Sequence, residues 1–241
     1  MIRHWLWLLV LGLYLMPLPI SAESLPKAQR DLFMAFARDV SGDDSALMSA
    51  ARKLVETPPI TLEGIGFYSQ EAAPAAERSL RGIISRLTDQ GYLISNEDKY
   101  IHYLFKTLME ANLADPGDEA DLFDLSVFFN KVDWDNGERP DWAAFKELFP
   151  HHTAALERAV VRKGFVLLSV RVPLGDTLYF WAAPPEVAKR WQNVALYAGV
   201  NTQKYAREPF VTFTVTQPDW QSYWLFLTYA LDIPKEHRAM P

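Results

Sequence analysis

The apolar residues of this chain change their spacing at Phe165, and that change limits the folds open to the chain more than any other feature. Before Phe165, apolar residues recur every three or four positions, which is the period of amphipathic helices. After it come the nearly continuous apolar run FVLLSVRV and the alternating run FVTFTVT, which are typical of strands. This order predicts an α+β fold in which an antiparallel sheet, formed mainly by the C-terminal third, packs against several N-terminal and central helices.

Capping and turn signals divide the part of the chain before Phe165. Helices are predicted over 28–40, from Asp43 or Asp44 to Val55, over 75–90, after Ser95 and over 122–129. A further helix carries Trp142 and Phe145. Pro150 is predicted to break or kink this helix before the apolar pattern resumes at Leu156.

The last third is predicted to contain a hairpin, a helix and a strand. FVLLSVRV and TLYFWAA pair across the turn PLGD, and Pro184-Pro185 opens a helix whose apolar side runs on to Ala198. The segment 220–231 fits a helix or a strand, and Pro218-Asp219 before it favours a helix. The junction at Gly164 has no flexible linker. We therefore predict one domain over 23–241, with a sub-boundary near 164 as the alternative.

The first 22 residues have the layout of a secretory signal. Arg3 and His4 give a positive start, twelve apolar residues follow from Trp5 to Met16, and Ser21-Ala22 offers small residues for cleavage. A spanning helix needs about 20 apolar residues, so this run is too short. We expect cleavage after Ala22, with an uncleaved anchor as the alternative. The mature chain is then expected in the bacterial periplasm, without a stable membrane span.

Composition and charge narrow the partners of the mature chain. The sequence has no cysteine, and a chain of this length can bury enough apolar surface to do without disulfides. Its formal net charge is −6, which argues against nucleic acid and anionic membranes because both bind basic surfaces. The charge is compatible with a basic protein partner or a cation, and also with a surplus that serves solubility alone.

Sequence motifs for catalysis are missing. The chain has no G-x-S-x-G elbow, no supported S-x-x-K pair, no phosphate-binding loop and no thiol nucleophile. His102 lies off the apolar stripe of its predicted helix, and His237 lies in the C-terminal tail. The pair His151-His152 lacks the i, i+4 spacing of helical metal sites. We therefore predict no cofactor and nominate no catalytic residue.

Acidic residues are concentrated in the middle of the sequence, at Asp115, Asp118, Glu119, Asp121, Asp124, Asp133, Asp135 and Glu138. Oxygen-rich loops of this kind can bind calcium. The EF-hand pattern fails, however. With Gly137 at the glycine position of that pattern, Val132, Trp134 and Ala143 would occupy ligand positions. Solvated loops are the simpler interpretation, and no metal site is predicted.

Aromatic residues crowd the C-terminal third, where most of them are expected in the core. Trp191, for example, lies on the apolar side of its predicted helix. Trp134 lies among the acidic residues instead and is the better candidate for an exposed contact with a partner.

Three functions remain open from the sequence. The first is a binding protein without catalytic activity, for example an immunity-type inhibitor that blocks a secreted toxin. The predicted contact residues are Trp134, Asp133, Asp135, Glu138, Asp118 and Asp121. The second is a periplasmic hydrolase whose acid–base residues converge only in the fold, with Asp133, Asp135, Glu138 and His102 as candidates. The third is a structural or assembly factor of the cell envelope.

Overall fold

The computed structural model describes residues 24–59, 73–97, 104–118, 141–173, 177–200, 210–230 and 233–239. Seven α-helices and one five-stranded antiparallel sheet lie within these ranges. Four of the five strands come from residues 166–216. The predicted α+β class, with a sheet drawn mainly from the C-terminal third, is confirmed.

Three helices open the fold: α1 (Lys27–Ser41), α2 (Ser45–Glu56) and α3 (Ala75–Asp89). They begin and end within two residues of the predicted bounds. α1 ends because Gly42 adopts a φ of 62°, a left-handed conformation that a side chain would strain. α2 begins at Asp44, whose carboxylate accepts a hydrogen bond from the Leu47 N–H at 2.8 Å.

The middle of the chain contains a short strand and two further helices. These are β1 (Ile94–Glu97), α4 (Leu104–Glu110) and α5 (Trp142–Arg162), with a 3-10 turn at Pro116–Asp118 after α4. The helix predicted over 122–129 lies outside the described residues.

Of the two outcomes predicted for Pro150, the break is wrong, because α5 runs through Pro150 as one continuous helix. The kink stays a prediction. Proline inside a helix removes one backbone hydrogen bond and costs about 3 kcal/mol. In α5, residues on both sides of Pro150, among them Phe145, Phe149 and Leu156, lie on one buried stripe. Burying each such side chain contributes about 1.5–3 kcal/mol, so the stripe as a whole outweighs the proline.

The C-terminal part contains β2 (Val166–Arg171), β3 (Thr177–Ala183), α6 (Pro185–Trp191), β4 (Val194–Val200), β5 (Phe210–Thr216) and α7 (Trp220–Ala230). A 3-10 turn at Lys235–His237 follows. β2 and β3 form the predicted antiparallel hairpin, with Ser169 opposite Phe180. The segment after Pro218-Asp219 is a helix, as the capping signal favoured.

The prediction that the helix after Pro184 continues to Ala198 is wrong. α6 ends at Trp191, and Asn193 has a φ of 66°, which turns the chain out of the helix. The residues after it form β4 and pair antiparallel with β5, from Val194 opposite Val215 to Val200 opposite Phe210. The backbone hydrogen bonds along the whole of β4 stabilise the strand more than the helical spacing of Val194, Ala195 and Ala198 favours a helix. Local preference for one secondary structure is weak compared with tertiary contacts.

The strands lie in the order β1-β3-β2-β5-β4, and helices pack on both faces of the sheet. On the first face, Trp181 and Phe213 share a core with residues of α1, α2, α3 and α6. On the second face, Leu167 and Phe180 share a core with residues of α4, α5 and α7. The second core contains residues from both sides of Gly164. The extent of the domain, 23–241, stays a prediction.

None of the described helices is both long enough and apolar enough to cross a membrane.

Candidate functional site

Asp118 is the one predicted contact residue that the structure describes. Its carboxylate accepts a hydrogen bond from the Asp115 N–H at 2.9 Å and forms an ion pair with the Arg162 guanidinium. Its side chain is 11% exposed. Both carboxylate oxygens are therefore engaged within the chain, and Asp118 ties the turn after α4 to the C-terminal end of α5. The other five predicted contact residues, Asp121, Asp133, Trp134, Asp135 and Glu138, lie outside the described residues.

A second ion pair strengthens this tie. Lys163, the residue after α5, donates to the Asp115 carboxylate at 2.5 Å. Asp115 and Asp118 thus each meet a cation at the end of α5. Cations are favoured there because the C-terminal end of a helix carries partial negative charge.

Asp141 marks the other end of α5. Its carboxylate accepts hydrogen bonds from the Ala143 and Ala144 N–H groups, both at 3.1 Å, and so caps the first turn. α5 contains 21 residues and is therefore about 30 Å long. We call residues 119–140 the acidic segment. The chain enters it at Asp118, by the end of α5, and leaves it at Asp141, by the start of α5.

The acidic segment holds most of the surplus charge of the protein. It contains six acidic residues (Glu119, Asp121, Asp124, Asp133, Asp135, Glu138) and two basic ones (Lys131, Arg139), a net charge of −4 out of −6 for the chain. Acidic and basic residues are therefore nearly balanced over the rest of the sequence. The negative charge of the protein would therefore attract a basic partner mainly to the acidic segment.

Three of the histidines lie in the described part of the chain. His151 is exposed on α5, the neighbouring His152 is 3% exposed, and His237 is half-buried in the last 3-10 turn. His102, the acid–base candidate, lies outside the described residues. Over the described ranges, no three His, Asp or Glu side chains are grouped so that they could hold a metal ion.

The described carboxylates with shifted pKa values are helix caps. Hydrogen bonds from the Ser222 hydroxyl and the Ser222 N–H lower the pKa of Asp219 at the start of α7. The N–H of Leu47 lowers the pKa of Asp44, and burial together with this carboxylate raises the pKa of Tyr92. Capping hydrogen bonds are the largest cause of the two lowered pKa values, and burial is the largest cause of the raised pKa of Tyr92.

Most tryptophans of the described structure are core residues, as predicted. Trp142, Trp181, Trp191 and Trp224 are at most 6% exposed. Trp220 is half-buried, stacks on Phe180 at 6.0 Å between ring centroids, and donates to the Glu157 carboxylate at 2.7 Å. These contacts give each ring a packing role.

One surface of the described structure was not singled out from the sequence. The second face of the sheet is covered by α4, α5 and α7 over β1, β3 and part of β2. Beyond that cover, β5 carries the half-buried Thr212, Thr214 and Thr216, and β4 carries the exposed Ala195 and Ala198. In the sequence, the three threonines of β5 alternate with apolar residues, which is typical of a strand with one buried face. The neighbouring β4 was missed because it was assigned to a helix.

No protein-family model matches this chain, and neither a curated protein nor a solved structure matches it.

Proposed function

We propose that this is an exported, periplasmic binding protein without catalytic activity, and that its acidic segment contacts a basic protein partner. The observation that carries this proposal is the segregation of charge. A net charge of −4 falls in residues 119–140, and the residues on either side of that stretch, Asp118 and Asp141, bind the two ends of α5. An immunity-type inhibitor that covers the active site of a secreted toxin is the concrete form of this function.

The chemistry of the acidic segment suits recognition of a basic surface. Clustered carboxylates speed encounter with a partner of opposite charge and disfavour acidic competitors. Trp134 stands between Asp133 and Asp135, so an aromatic side chain is flanked by two charges. Buried aromatic residues ringed by polar groups carry much of the binding energy in protein interfaces. We propose Trp134 as the anchor and Asp133, Asp135, Glu138 and Asp121 as the surrounding charges.

Asp118 has a supporting role in this proposal. Its ion pair with Arg162 holds the entry to the acidic segment against α5, which lowers the entropy lost when the segment binds. A partner would therefore meet a stretch with fixed ends.

The test is affinity capture of the tagged chain from Glu23 to Pro241 in a native envelope extract, with mass spectrometry of the captured proteins. We expect a stoichiometric basic protein whose retention weakens as salt is raised. The variant D133N/D135N/E138Q should lose it. The control D31N/E56Q/E147Q removes three acids that are exposed elsewhere on the surface, and it should keep the partner.

The variant Trp134→Ala separates contact from folding. We expect it to bind the captured partner at least about tenfold more weakly, as for a central aromatic contact, with an unchanged unfolding temperature. Equal retention of the partner by the neutralised and control variants would refute the acidic segment as the contact. Turnover of a substrate by the purified chain that is lost in His102→Ala would favour the hydrolase instead.

A further inference from the structure

β4 is an edge of the sheet. It stands last in the strand order, so one of its sides has no neighbour among the described strands. An edge strand presents backbone N–H and C=O groups to which another strand can pair. β4 has the sequence VALYAGV, which contains neither charge nor proline. Charge and proline are the usual means of preventing such pairing, and β4 lacks both.

A second copy of this chain is the partner that suits this edge. Two copies of β4 related by a twofold axis run antiparallel, and each residue then lies opposite a residue of the same uncharged strand. No like charges are brought together along the pair. The described side chains of β4 that are exposed, Ala195 and Ala198, carry no charge that would oppose this pairing.

Two features interrupt the edge. Ala195 lies opposite Thr214 and Tyr197 lies opposite Phe213, so Leu196 between them has no partner on β5 and forms a bulge. The Leu196 carbonyl instead accepts a hydrogen bond from the Gln29 side-chain amide at 2.8 Å. Gln29 lies in the first turn of α1, which is thereby held beside the edge.

We propose that β4 is a latent dimerisation edge, and that Gln29 closes it by binding the carbonyl of the Leu196 bulge. A bulge increases the local twist of a strand, which hinders flat pairing with a second strand. The Gln29 amide takes an acceptor that an added strand would use. The closed edge keeps the protein monomeric.

The experiment measures self-association of the chain from Glu23 to Pro241 by analytical ultracentrifugation over a range of concentrations. The wild-type chain is expected to be monomeric. Gln29→Ala frees the Leu196 carbonyl and keeps a strong helix former in α1. In a twofold dimer of this variant, the freed Leu196 carbonyl of each copy accepts a hydrogen bond from the other copy. We therefore expect the association constant of the dimer to rise by about tenfold for each of these two hydrogen bonds.

Two further variants decide where any association occurs. Gln29→Ala/Ala198→Lys places a charge on β4 and should return the chain to monomer. Gln221→Ala removes an exposed amide from α7 and should behave as wild type. The proposal is overturned if Gln29→Ala stays monomeric, if Ala198→Lys does not reverse its association, or if the wild-type chain already dimerises through β4. Slower amide exchange in β4 of the Gln29→Ala dimer would support it.

Discussion

Asp219 precedes α7 and caps its N-terminal end, and hydrogen bonds to its carboxylate favour the charged form. The Ser222 hydroxyl and the Ser222 N–H donate to it at 2.5 and 3.0 Å, and Arg171 lies near enough to favour the charged form. These donors keep the pKa of Asp219 below its ordinary value of 3.8. Because the folded pKa is lower than the unfolded one, the contribution to stability is complete above the unfolded value. It disappears as the pH falls through the folded value.

We therefore expect Asp219→Ala to lower the free energy of unfolding near neutral pH by about 1 kcal/mol, the usual loss with an N-cap. Urea unfolding should show the difference from wild type shrinking below about pH 4. In an NMR titration, Ser222→Ala should raise the pKa of Asp219 towards its ordinary value. Ser49→Ala, at an exposed position of α2, is the control. A difference between wild type and Asp219→Ala that stays constant into acid would contradict this account.

Local spacing predicted single residues well where a helix or strand face decides burial. Trp181 and Trp191 occupy apolar positions of β3 and α6, and both are buried. The role of Asp118 depends on Arg162, which is 44 residues away in the sequence. An acidic run in the sequence contains no information about such a partner. Asp118 was therefore grouped with the contact residues, although its carboxylate is engaged within the chain.

At the scale of elements, α3 is joined to the sheet by a buried ion pair. Glu77 and Arg81 lie one turn apart on α3, both 5% exposed, with carboxylate and guanidinium 2.9 Å apart. Arg81 also donates to the Pro173 carbonyl at 3.0 Å, and its guanidinium lies 4.9 Å from the centre of the Phe213 ring. One side chain thus connects α3 with the end of β2 and with β5.

Glu77→Ala leaves the Arg81 charge buried without its carboxylate. We expect a loss of about 3–5 kcal/mol in the free energy of unfolding, measured by urea denaturation, because an uncompensated buried charge is strongly destabilising. The double variant Glu77→Leu/Arg81→Met should lose less, since it removes both charges and keeps the volume.

The exposed pair of Lys106 and Glu110, at 3.9 Å on α4, offers the matched control. Glu110→Ala should cost less than about 1 kcal/mol because solvent screens that pair. Equal losses for Glu77→Ala and Glu110→Ala would show that the buried pair does not hold α3 to the sheet.

Elements were predicted best where the local signals agreed, as in α1, α2, α3 and the β2–β3 hairpin. They were missed where a distant partner decides the outcome. β4 exists because β5 supplies its hydrogen bonds, whereas the apolar spacing around Val194 predicted a helix. α5 continues through Pro150 because its stripe packs against α7, where Trp224 stacks on Phe145 with ring centroids 5.4 Å apart. Neither contact can be inferred from residues near in sequence.

At the scale of the whole molecule, a residue just after the predicted cleavage point belongs to the core. Leu25 is 3% exposed and belongs to the core on the first face of the sheet. Its carbonyl accepts a hydrogen bond from the Arg30 guanidinium at 3.0 Å, and the Pro26 carbonyl accepts from the Gln29 and Arg30 N–H groups. Cleavage after Ala22 would leave all these contacts in the mature chain.

A chain that starts at Lys27 loses the Leu25 side chain and the carbonyls that open α1. We expect its free energy of unfolding to fall by at least about 2 kcal/mol relative to a chain that starts at Glu23, as for removal of a buried leucine. Urea unfolding of the two chains measures this. Leu25→Ala in the longer chain separates the side chain from the backbone contacts and should account for most of the loss.

If the chain is exported and cleaved as the sequence predicts, the burial of Leu25 limits the position of the cleavage. Cleavage after Ala22 keeps Leu25, whereas cleavage after Leu25 or after any later residue would remove this residue of the core. The intact mass of the chain recovered from the periplasm is therefore expected to correspond to a start at Glu23. A start beyond Leu25 together with unchanged stability would show that the first face of the sheet packs without this residue. A mass that retains residues 1–22 would establish the uncleaved anchor instead, with the folded body held within a few residues of the membrane.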